Sequence, residues 1–309
     1  MVNAKPKAMS TEEFIRSATM FYIDKELEKY YSNEVRNCVN SLSSKLEHIN
    51  TKEGLKKYIR DDRNSLDNIT SLLNISTEKF KRIITMLRLD KGHMPTTEWS
   101  LSKTRSQMLE KTEFMDEVCE LLMNGGNLPR YKELIPEFYL ENFSIGLNTI
   151  ARLANPDDVR RLIKKGLDGR YNNNIGDSFF KFASESITKI CDKTGLTYSI
   201  KKEVPLIGRP VGLAIPNENT PRLLIDISYS ITTSSAQTDY AKQAEETASI
   251  LRKKNEGKPE TQKIILLNLL DGAGWVARRS DLEKIQRCSD YLINLKTLTS
   301  IDEIINYYL

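Results

Sequence analysis

Along the first half of the chain apolar residues recur every three to four positions, and from Thr11 to about Leu167 this helical period dominates. Ser10 followed by Thr11, Glu12 and Glu13 reads as a helix start: a serine oxygen accepts an otherwise orphaned backbone N–H, and early carboxylates offset the positive end of the helix dipole. Phe14, Ile15, Ala18, Phe21 and Tyr22 form its apolar face. Between Ser65 and Arg88 two short apolar faces flank a turn at Asn74–Ser76, the first of Leu66, Ile69, Leu72 and Leu73 and the second of Phe80, Ile83, Ile84 and Leu87. That is helix-turn-helix spacing. It carries Lys79, Lys81, Arg82 and Arg88 away from the apolar stripe, as on a helix lying along a DNA groove, although a helical hairpin with a solvated basic side shows the same pattern. After Gly92 and Pro95 an irregular segment holds Trp99. A helix over about Leu101–Leu122, a break at Asn124–Asn127, and further helix from Pro129 to Gly166 with Pro136 and Pro156 as punctuation complete this half.

The run Asp168-Gly-Arg-Tyr-Asn-Asn-Asn-Ile-Gly176 has loop composition and marks a domain join near residue 168. Beyond it the period changes. Asp177–Cys191 predicts a helix with Phe179, Phe180, Ala183, Ile187 and Ile190 inward, stopped by Gly195. Tyr198–Val204, Val211–Ile215 and Arg222–Tyr229 predict short strands, with Pro216–Pro221 as the turn between the last two. A helix over about Thr238–Lys254 leads into Lys263–Leu270, an unbroken apolar run of the kind buried in parallel sheets. The loop Asp271-Gly-Ala-Gly-Trp275 then precedes helical segments that finish at Leu309. This order predicts an α/β (α+β) fold with a mixed central sheet flanked by helices, over 168–309, preceded by an all-α domain over 1–167. A chain of 309 residues is long enough for two domains.

Composition narrows the chemistry. At 39% hydrophobic and 28% charged residues the chain is ordinary globular material. Its longest apolar runs fall far short of the ~20 residues a membrane helix needs, and no apolar segment follows the lysines of Met1–Ser10 as in a secretory signal, so a soluble cytoplasmic protein is expected. The four cysteines, Cys38, Cys119, Cys191 and Cys288, lie far apart and read as reduced core thiols. With only His48 and His93 present, histidine-rich zinc sites and histidine-dependent triads have little to work with, so any metal must sit on carboxylates, which selects Mg²⁺ or a similar hard ion. The net charge of +4 and the pI of about 8.7 permit nucleic-acid binding without demanding it.

The period of two places Asp226 and Ser228 on one face of the strand Arg222–Tyr229, with Ile225 and Ile227 on the other. An acid among apolar residues is costly to bury unless a cation meets it, and Asp226 is therefore a candidate metal ligand, with a structural ion pair as the alternative. The arrangement resembles the PD-(D/E)xK nuclease motif, over about residues 170–300. Leu224–Ser235 and Asp271-Gly-Ala-Gly-Trp275 in particular resemble the C-terminal half of type II restriction endonucleases of the GATC-cutting kind. What the resemblance implies is sequence-specific, Mg²⁺-dependent hydrolysis of phosphodiester bonds in double-stranded DNA by a homodimer, with a cognate DNA methyltransferase in the same host.

Two positions depart from that pattern. Ser228 stands where the motif has its lysine, which leaves Lys242, or Lys201 and Lys202, for the cationic role. Gly212 stands where the first acid is expected, which leaves Asp177 or Glu185 on the preceding helix. The candidate site is thus Asp226, Ser228, Lys242 and Glu185 for catalysis and Asp226 with Asp177 for metal. Thr232, Thr233, Ser234, Ser235 and Gln237 form a hydroxyl- and amide-rich turn able to contact DNA phosphates or to cap the next helix. Trp275 is expected in the core, and Arg278 and Arg279 within reach of phosphate. The alternative function is that of a catalytically weakened or inactive nuclease-fold protein that binds DNA.

Overall fold

The helical period of the first half and the mixed pattern of the second separate in a computed structural model that describes residues 4–45, 49–93, 97–146 and 155–309. His48, Pro95 and part of the helix expected after Pro129 lie outside these residues. Two compact units result: Glu28–Tyr171, and a discontinuous one made of Met1–Leu27 together with Asn172–Leu309. The first 27 residues, grouped by sequence with the helical half, therefore belong with the sheet. Among the described residues no helix is long and apolar enough to cross a membrane.

Helix α1 (Thr11–Ser17) starts at a reciprocal cap, with Glu13 N–H donating to Ser10 Oγ at 3.2 Å and Ser10 N–H to Glu13 Oε2 at 2.8 Å. In the helical unit follow α2 (Lys25–Lys45), α3 (Lys52–Asp61), α4 (Ser65–Leu72), α5 (Thr77–Asp90), α6 (Leu101–Glu110), α7 (Thr112–Asn124), α8 (Pro129–Lys132) and α9 (Glu137–Leu140). Both apolar faces expected at α4 and α5 are buried, and Asn74 turns between them with a φ of 54°. The single helix expected over Leu101–Leu122 is two, because Lys111 adopts an extended conformation.

No loop exists at 168–176. Helix α10 runs unbroken over Pro156–Thr194, and its second half contains the helix expected at Asp177–Cys191. The reason is an apolar stripe at strict four-residue spacing, Val159, Ile163, Leu167, Tyr171, Ile175, Phe179, Ala183, Ile187 and Cys191, of which all but Leu167 and Tyr171 are fully buried. Packing of that stripe outweighs the weak helix propensity of Gly166, Gly169, Gly176 and Asn172–Asn174. Gly195, at a φ of 70°, ends the helix.

The sheet unit contains β1 (Ser199–Ile200), β2 (Glu203–Val204), β3 (Arg209–Pro210), β4 (Leu213–Ile215), β5 (Leu223–Tyr229), α11 (Ser235–Lys254), β6 (Ile265–Asp271), α12 (Ala273–Ala277), α13 (Arg279–Cys288), β7 (Tyr291–Ile293) and α14 (Ser300–Tyr308). The five-stranded sheet has the order β1-β4-β5-β6-β7, antiparallel from β1 to β5 and parallel from β5 to β7. The strand expected at Tyr198–Val204 is split by Lys201, which sits at a φ of 50°, and β2 and β3 form a hairpin of their own that turns at Gly208. Strand β7 lies in a stretch expected to be helical; its three residues are too few to show a period.

Alternation along the strands sorts side chains between two layers. Leu213, Ile215, Leu223, Ile225, Leu267, Leu269 and Ile293 pack on α10 and α14, while Leu224, Leu266, Leu270 and Leu292 face α11 and α13. The N-terminal segment is fastened to this unit through Asp271, whose Oδ1 accepts the N–H groups of Thr19 (2.6 Å) and Gly272 (3.0 Å) and whose Oδ2 accepts that of Leu295 (3.0 Å). Asp271→Ala leaves three donors without an acceptor, and at about 1 kcal/mol each the sheet unit is expected to lose roughly 3 kcal/mol. Differential scanning calorimetry reads this as a lower Tm; an unchanged Tm would show that the tether is dispensable.

Candidate functional site

Strand β4 pairs with β5 only across Leu223–Ile225. From Asp226 onward the strand runs past its antiparallel neighbour, and its last four residues border an open cleft of about 660 Å³ together with Asn173, Gly176, Asp177 and Phe180 of α10, Lys201, and Gly212. Lys201 holds its ammonium 4.0 Å from the centroid of the Phe180 ring, a cation–π contact.

Asp226 is 6% exposed and is held by Arg209 of β3. Arg209 Nη2 donates to Asp226 Oδ2 at 2.6 Å and Nη1 to Oδ1 at 3.2 Å, so both carboxylate oxygens are engaged by one guanidinium fork. The remaining donors are also used: Nε and Nη2 reach Thr247 Oγ1 of α11 at 3.1 and 2.9 Å, and Nη1 reaches the Pro210 carbonyl at 3.1 Å. Burial of the guanidinium weakens its hold on the proton, but the Asp226 hydrogen bond and charge outweigh that and push the Arg209 pKa above its ordinary value. On the same face Tyr240 of α11 donates to Asn268 Oδ1 at 2.9 Å, Asn268 being the register neighbour of Asp226 on β6; burial pushes the Tyr240 phenol well up.

Ser228, at the lysine position of the motif, is a structural acceptor for the indole N–H of Trp275 at 3.3 Å, and Trp275 is fully buried as expected. The glycines of Asp271-Gly-Ala-Gly-Trp275 exist for close approach. A Cβ on Gly272, at a φ of 104°, would meet the Ser230 carbonyl at 2.3 Å, and one on Gly274 would meet the Thr232 carbonyl at 2.5 Å. This loop therefore clamps the turn that follows β5.

The other candidates separate. Asp177 is exposed and borders the cleft with Asp226. Lys242, Glu185 and Lys202 are exposed but do not line it, and Glu185 lies 4.0 Å from Lys181. Thr232, Thr233, Ser234 and Ser235 are exposed at the start of α11. Gln237 is not a solvent-facing contact: it is 3% exposed and its Oε1 accepts the Ser234 N–H at 2.7 Å, which makes it part of the helix cap. Arg278 donates to the Ser234 carbonyl and Thr238 Oγ1, at 3.0 and 2.7 Å, and Arg279 pairs with Glu12 and Glu283. In the helical unit the four cations of α5 are engaged internally. Lys79 sits 4.6 Å from the Tyr139 ring centroid, Lys81 pairs with Glu78 at 2.7 Å, Arg82 pairs with Glu78 and Glu98, and Arg88 stacks 3.7 Å over Trp99.

A hard divalent ion takes several oxygen ligands, and the charged ones must be free to face it. Among the described residues no group of three or more His, Cys, Asp or Glu side chains is placed to hold a metal. Asp226 has both oxygens taken, and at Gly212 a Cβ would come within 2.8 Å of the Ile225 carbonyl and 3.3 Å of Ile227 N and Cγ1. As arranged, these residues do not fit Mg²⁺. The sequence pointed to a cation for Asp226 but not to Arg209, because the partner arrives from a two-residue strand of the hairpin. The cysteines are free, and burial pushes the Cys119 thiol up to about 12 and those of Cys38 and Cys191 up to about 11, as suits inert core thiols.

No family model, curated protein or solved structure matches the chain. Gly212→Ala is expected to cost about 1–3 kcal/mol, since the atom nearest the added methyl, at 2.8 Å, is the backbone carbonyl oxygen of Ile225. The check is a lower urea midpoint at unchanged m; equal midpoints would mean that β4 yields easily.

Proposed function

We propose that this chain binds duplex DNA with a sheet unit built like that of a restriction endonuclease. One arrangement carries the reading: β5 runs past β4 to border an open cleft with Lys201, then continues directly into four exposed hydroxyl residues, Thr232–Ser235, at the N-terminus of α11. Hydroxyls, a helix N-terminus and a lysine are groups that meet phosphate oxygens, and they position a duplex without reading its sequence. Such binding releases counterions, so its affinity falls with salt.

Site-specific, Mg²⁺-dependent hydrolysis by a homodimer in the cytoplasm, with a partner methyltransferase, is the second reading. It is favoured by Asp177 and Asp226 bordering one cleft, and it requires that Arg209 release Asp226.

The test is a gel shift on a short duplex. Affinity is expected to drop at least about tenfold between 50 and 200 mM salt, and Lys201→Ala to weaken binding roughly three- to tenfold. Absence of a shift at the lower salt would sink the proposal. Discrete fragments from plasmid DNA in Mg²⁺, lost in Asp226→Ala, would establish the second reading.

A further inference from the structure

We infer that Arg209 is the resident cation of the β5 centre, standing in for a divalent metal, so that Asp226 is a charge-matched structural carboxylate and the centre operates without a metal ion. A carboxylate buried between a sheet and a helix must be neutralised or paired. Here one planar fork meets both oxygens, at 2.6 and 3.2 Å, and is itself fixed by Thr247 from the helix above and the Pro210 carbonyl beside it. The guanidinium is permanently charged, unlike a lysine of shiftable pKa or an exchangeable ion. The α11 face makes room for it: of its six buried residues, Ala241, Ala244, Thr247 and Ala248 are small.

The neighbouring backbone closes the alternative. A second acid at residue 212 has no space while β4 stays in register, since its Cβ would press on the Ile225 carbonyl. The inference concerns the charge pair alone, and its outcome is independent of whether the chain binds DNA.

The experiment uses the full chain. Arg209→Met and Asp226→Leu each strand one buried charge and are expected to lower Tm by roughly 10 °C, whereas the double variant with both substitutions removes both charges and stays within about 3 °C of wild type. Additive losses would overturn the pairing. Mn²⁺ binding by electron paramagnetic resonance, and Tm with and without Mg²⁺, test the metal on the wild-type protein, whatever the variants do. A site with a Kd of about 0.1 mM would raise Tm by roughly 5 °C or more in about 10 mM Mg²⁺. The expected results are no Tm rise and no Mn²⁺ binding that depends on Asp226; Mn²⁺ bound equally by wild type and Asp226→Asn lies elsewhere and agrees with the inference. Mn²⁺ binding or a Mg²⁺-induced Tm rise that Asp226→Asn abolishes would overturn it.

Discussion

A negative charge in the layer between β5 and α11 has to be balanced where it stands, and the geometry of the sheet unit around Asp226 is organised to do so. Arg209 reaches it only because β2 and β3 leave the main sheet as a separate hairpin, and that departure is what lets β5 project beyond β4. The cleft, the buried pair and the short antiparallel contact are thus consequences of one another. Removing one charge leaves the other unpaired in a low-dielectric layer, which is why such pairs are costly to break even where they add little net stability.

The turn after β5 obeys a second constraint, one of space. Gly272 and Gly274 lie against the Ser230 and Thr232 carbonyls, and Trp275 donates to Ser228, so a motif that resembles a nuclease signature acts here by holding a strand end and the start of α11 together. Asp271, the first residue of the same motif, fastens the N-terminal segment. One short loop thereby sets the positions of three separate stretches of chain.

Much of this was legible in the residues themselves. The acid in an apolar strand announced that Asp226 needs a cation, and the unbroken apolar run announced the buried β6. What escaped were features set by distant partners. Arg209 lies 17 residues before Asp226 and reaches it through a hairpin whose strands are two residues long. The α10 stripe is spaced for one long helix, but its polar side is rich in asparagine and glycine, and local composition suggested a loop where tertiary packing imposes a helix. Gln237 looked like a surface amide and is buried because the helix cap draws it in.

The discontinuity of the sheet unit bears on how the chain is made. Residues 28–171 are synthesised as one block with their own core, so they can fold while the rest is still emerging. The segment that contributes Phe14 and Thr19 leaves the ribosome before that block, yet its partners Asp271, Trp275 and Asn294 follow after it. Thr19 must therefore wait, unsatisfied, for an acceptor that is translated 252 residues later.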